Sequence, residues 1–130
     1  MAIGLSTATL NGWLNALCRS VGYSDPDEFW VKLHTGDPGS TGTANAAANT
    51  TRTQATFSAA AGGAITTSAP LEWTNVPNAE TYSHVSFWSA STGGTFLGSD
   101  DLAVARTVAI GDNFSIAAGD LDLDITPVAA

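Results

Sequence analysis

Two histidines and twelve acidic residues are the raw material for chemistry in this chain. His34 stands shortly before Asp37 in Trp30-Val31-Lys32-Leu33-His34-Thr35-Gly36-Asp37-Pro38-Gly39. A histidine with an aspartate at a tight turn could orient a general base, and a serine brought in from elsewhere would complete a triad, which is spatial rather than sequential. No Gly-x-Ser-x-Gly elbow supplies that serine locally, and the single Cys18 lies on an apolar helical stripe. The expected role of His34 and His84 is structural, bonding loop backbone or a subunit contact.

Asp120, Asp122 and Asp124 resemble the first ligands of a calcium loop, which needs a glycine at its sixth position. That position is Ile125. On a strand the three carboxylates would line one face about 6.6 Å apart, a solvated acidic edge that discourages wrong pairing. The glycine-rich turns lack a basic residue and a following helix, so they are not phosphate loops. Trp30, Trp73 and Trp88 could stack on sugar rings, but core or interface positions are the simpler expectation. No catalytic residue, metal site or cofactor is expected.

The elements that must carry these residues follow from periodicity. Leu10, Trp13, Leu14, Leu17, Cys18 and Val21 fall on one stripe of a helix over about 7–21, with Ser6 or Thr7 as cap and Gly22 as stop. That stripe is expected to dock on the chain's own sheet or, alternatively, on a neighbouring subunit. Val31 and Leu33 alternate with Lys32 and His34 as in a half-buried strand. Gly36-Asp37-Pro38-Gly39 ends it, because Pro38 lacks a donor and constrains Asp37. Residues 36–51 hold no large apolar side chain and read as an extended loop or arm reaching towards a neighbour.

Further strands recur every 8–12 residues with turn residues between them. The longest, Thr81 to Ala90, sets Val85 and Phe87 on one face and Tyr82, His84 and Trp88 on the other. Gly93-Gly94 signals a hairpin. The expected fold is mainly β: an antiparallel β-sandwich or jelly-roll-like barrel with one N-terminal α-helix. It forms a single domain over 1–130, with the sandwich at about 29–35 and 52–126.

Charge narrows the partners. The net charge is −8, and the four basic residues are dispersed, so nucleic acid and anionic membrane surfaces are not expected partners. No signal peptide or membrane span is indicated, and cytosolic synthesis is expected.

In order along the chain, Leu33-His34-Thr35-Gly36-Asp37-Pro38-Gly39, Thr43-Ala44-Asn45, Arg52 with Phe57, and Gly62-Gly63 are followed by His84 with Phe87-Trp88. Gly93-Gly94-Thr95-Phe96-Leu97-Gly98, Gly111-Asp112 and Gly119-Asp120-Leu121 complete the set. This set resembles a family of small virion structural proteins from tailed phages and prophages; Ala46 departs from the acidic residue expected after Thr-Ala-Asn. The resemblance implies a virion component without catalytic activity.

Within the virion, the first expectation is a capsid decoration protein on the shell exterior, bridging capsomers and bound to the major capsid protein. The alternative is a minor tail, tail-fibre or host-recognition component bound to tail proteins. A homo-oligomer is expected, a trimer first. The candidate interface residues are Trp13, His34, Asp37, Pro38, Arg52, Tyr82 and Trp88.

Overall fold

A computed structural model describes residues 4–124. In chain order the elements are β1 (Gly4–Leu5), α1 (Thr7–Arg19), β2 (Trp30–His34), β3 (Thr53–Gln54), β4 (Ala64–Thr66), β5 (Leu71–Trp73), β6 (Glu80–Trp88), β7 (Phe96–Val108), β8 (Phe114–Ile116) and β9 (Asp122–Asp124). Five of them form a sheet in the order β1-β7-β6-β2-β3, and two ribbons, β4-β9 and β5-β8, complete the β structure. Every strand pair is antiparallel. The class is the expected one, mainly antiparallel β with a single helix among the described residues.

Alternation builds the sandwich. Val31 pairs with Phe87 and Leu33 with Val85, so four apolar side chains point to one face of the sheet. The β5-β8 ribbon alternates likewise: Leu71, Trp73, Phe114 and Ile116 are buried while Glu72 and Ser115 are exposed. These two sets belong to one apolar core. Burying each such side chain contributes roughly 1.5–3 kcal/mol.

Tyr82 departs from the expected face. A register shift between Tyr82 and His84 interrupts the β6–β7 ladder. Beyond that irregularity the simple parity fails, and Tyr82 joins Val85 and Phe87 in the core, its ring 5.1 Å from that of Phe114. It is fully buried. It therefore cannot serve as the interface residue expected from alternation.

The helix also departs from expectation. Ser6 caps it by accepting from the Thr9 N–H at 3.2 Å. It stops at Arg19 because Ser20 takes a left-handed conformation with φ 55°, ahead of Gly22. Its apolar stripe does not dock on the sheet. Thr9 is the buried residue of α1, and Cys18 is exposed.

The expected arm is folded back. Ala47 N–H donates to Leu33 O at 3.2 Å, Thr35 N–H to Asn45 O at 2.9 Å, and His34 bridges to Ala46. The Glu80 carboxylate accepts from Ala48 N–H at 2.7 Å and Asn49 N–H at 3.2 Å. Residues 36–51 thus close onto their own sheet through backbone and small buried groups such as Pro38, Ala47 and Asn49. The sequence lacks large apolar residues there because main-chain bonding does the work.

Candidate functional site

The polar face of the sheet gathers the candidates that meet. On β2 and β6 the outward positions are Trp30 opposite Trp88, Lys32 opposite Ser86, and His34 opposite His84. Ala44 O lies 2.9 Å from His34 Nδ1 and can only accept, so that nitrogen carries the proton. His34 Nε2 then accepts from the Ser86 hydroxyl at 2.7 Å, and Ser86 Oγ in turn accepts from Trp88 Nε1–H at 2.7 Å. Each donor in this relay has one acceptor.

The relay extends to the β6–β7 loop. The Arg52 guanidinium lies 4.5 Å from the centroid of the Trp88 ring, a cation–π contact. Its Nη1 donates to Ala90 O at 2.7 Å and Gly93 O at 2.8 Å. The turn at Gly93-Gly94 is accordingly wider than a two-residue hairpin, with Ser89 N–H reaching Thr95 O at 3.1 Å. One connected set of side chains runs from the 36–51 loop through His34, Ser86, Trp88 and Arg52 to the 89–95 loop.

Electrostatics fit this pairing. Burial holds His34 below its ordinary value of 6.5; Lys32 and His84 push the same way, while the Ala44 carbonyl opposes them. The neutral imidazole is the form the relay requires. Burial, and then the Arg52 charge, lower Lys32. Two of the chain's four cations thus share one face of an acidic protein.

Ser86 against His34 has the distance of a nucleophile and its base, but the remaining geometry does not suit catalysis. Both residues are fully buried, and Ser86 Oγ is occupied by Trp88. The third position behind the imidazole holds a carbonyl rather than a carboxylate. Asp37 instead accepts from Gly39 N–H at 2.8 Å, and its carbonyl accepts from Asn45 Nδ2 at 2.9 Å, fixing the root of the loop. Pro38 is buried beside it, with Ala44 N–H donating to Pro38 O at 3.0 Å.

The structure brings together His34, Arg52 and Trp88, with Asp37 and Pro38 at the adjoining loop root. It leaves Trp13 on the helix, where its ring meets Tyr23 edge-on at 6.3 Å, and Tyr82 in the core. Sequence reasoning missed Ser86, whose signal was parity: it falls between His84 and Trp88 on the polar face. It also missed Glu80, whose partners Ala48 and Asn49 lie about thirty residues away, and the bonding of Asn45 to Thr35 and Asp37 within the 36–51 loop and its root.

Elsewhere, an open cleft of about 260 Å³ runs between Thr9, Tyr23, Pro26 and the Ser89–Thr95 loop. Among the described residues no group of three or more His, Cys, Asp or Glu could hold a metal ion. No helix among them is long and apolar enough to cross a membrane. Asp122–Asp124 pair through their backbone with Ala64–Thr66.

A protein-family model matches residues 4–124, the whole described span. The class that this match and the β-rich fold define is a bacteriophage virion structural protein. The family to which the chain belongs is that of the podophage GP4 fiber I protein gp80. No curated protein matches the sequence.

Proposed function

We propose that this chain is a non-enzymatic fibre component on the outside of a tailed-phage virion, part of the tail apparatus rather than a decoration of the shell. The observation that carries this reading is the match to a fibre-protein family over residues 4–124, which spans helix, sheet and ribbons alike. Capsid decoration was the first expectation from sequence. It drew on an arm able to cross capsomer joints, and residues 36–51 bond to their own sheet instead. The net charge of −8 supports an exterior position, away from packaged DNA. On this reading its partners are tail proteins and further copies of itself.

Quantitative mass spectrometry of purified virions, with labelled antibody in electron microscopy, tests the proposal. The expected result is tens of copies or fewer per particle, with label at the tail vertex. Hundreds of copies distributed over the shell would overturn it and restore the decoration reading.

A further inference from the structure

Lys32 is the one lysine of the chain, and it stands half-buried on β2 between Trp30 and His34 on the outward face. Beside it β3 pairs antiparallel, Trp30 with Gln54 and Val31 with Thr53. Continuing that register by one residue sets Arg52 opposite Lys32 and on the same face. The seat of the guanidinium over Trp88, the partner of Trp30 on β6, agrees with that placement. Like charges set opposite each other on a sheet destabilise it. With twelve acidic residues to four basic ones, the chain had ample means to pair either cation.

It pairs neither. Among the described residues Lys32 Nζ makes no hydrogen bond or ion pair. Arg52 donates through Nη1 to Ala90 O and Gly93 O, which leaves its Nε–H and Nη2 N–H groups open. Around this face Glu28 accepts from Trp30 Nε1–H at 2.7 Å and Asp37 from Gly39 N–H at 2.8 Å, while Asp101 lies beyond β6 opposite His84. Burial, and then the Arg52 charge, both lower Lys32. Both side chains are partly buried, where salt screens their repulsion less than on an open surface. A negative group set between them would relieve the repulsion and satisfy the open donors together.

We propose that Lys32 and Arg52 form an oxyanion-binding site, which takes one phosphate or carboxylate group between the Lys32 ammonium and the open N–H groups of Arg52. Each cation supplies charge-assisted hydrogen bonds to the ligand oxygens. The stack on Trp88 and the two loop carbonyls hold the guanidinium in place before the ligand arrives. Half-buried Trp30, next to Lys32 on the same face, offers its ring to the body of an organic ligand. The inference stands apart from the place of the chain in the virion, since it concerns the purified protein alone.

Heteronuclear NMR of the full chain tests it, with inorganic phosphate and galacturonate as separate probes, each exchanged for chloride at constant ionic strength. The Arg52 Nε–H and Lys32 amide signals should shift and saturate, while the Nε–H of the exposed Arg106 should not. The probe that saturates at the lower concentration tells a phosphoryl ligand from an organic carboxylate. Lys32→Gln should raise Kd about tenfold or more. In chloride alone the same variant should be no less stable than the wild type, because it removes a like-charge neighbour.

Shifts that saturate with neither probe, equal shifts at Arg106, or an unchanged Kd in folded Lys32→Gln would overturn the proposal. If Lys32→Gln misfolds, the comparison of Arg52 with Arg106 in the wild-type chain decides it alone.

Discussion

The polar face of the sheet and the outer face of the helix treat their side chains in opposite ways. On the sheet, His34, Ser86, Trp88 and Arg52 each find a partner within the chain, and the loops at either end are held by that chain of contacts. On the helix, Leu14 and Leu17 are left largely exposed, at 58% and 82%. The first arrangement lowers the energy of the isolated fold. The second leaves apolar area whose burial can contribute only through association. Internal bonding is thus concentrated on the sheet, and open apolar area on the helix.

Substitutions can break that separation, beginning with the core that both faces rest on. Phe87→Ala removes a fully buried ring that contacts Phe29 at 5.0 Å, and it should lower unfolding free energy by about 3–5 kcal/mol in urea titrations. His34→Ala leaves Ser86 and Ala44 O short of a partner and should cost about 1–3 kcal/mol.

His34 also sets a pH dependence. Its folded value lies below the unfolded 6.5, so the unfolded chain binds the extra proton first. Stability should therefore be complete above pH 6.5 and decline as the pH falls through that value. The urea midpoint of the His34→Ala variant should show less of that decline than the wild type.

Arg52→Lys tests the outer end of the relay. A lysine retains the charge but neither the planar stacking group over Trp88 nor the Nη1 position from which Arg52 donates to the Ala90 and Gly93 carbonyls. A loss of about 1–2 kcal/mol is expected by the same titration. Leu17→Ser should be the mildest change, within about 0.5 kcal/mol when monomer unfolding is measured. A large loss from Leu17→Ser would show that the helix stabilises its own domain, and the contrast between the two faces would collapse.

Much of the fold was legible in the sequence where periodicity was clean. β2 reads correctly because Val31 and Leu33 alternate with polar neighbours, and α1 because its stripe repeats at helical spacing. Periodicity says that a face is apolar but not what covers it, so the helix stripe gave no warning that its own sheet would leave it open. Tyr82 was misplaced because a register shift breaks the parity on which face assignment depends. Residues 36–51 read as an arm because burial there falls to Pro38, Ala47 and Asn49, and to backbone bonds that composition does not record. Of the site, His34, Arg52 and Trp88 were visible as types. Their connection, through Ser86 and the Trp88 ring, required β2 and β6 to be set side by side with Arg52 just ahead of β3.

The short pairing of β1 has a mechanical consequence. Gly4 and Leu5 pair with only Ser99 and Gly98, whereas β6 and β7 share a ladder running from Glu80 to Trp88. Tension applied through the helix reaches the two-residue pair first and the long ladder last. In a force–extension trace, β1 and α1 should peel away in a small early event while the sandwich still bears load, making the attachment of the helix a compliant joint on a stiff body.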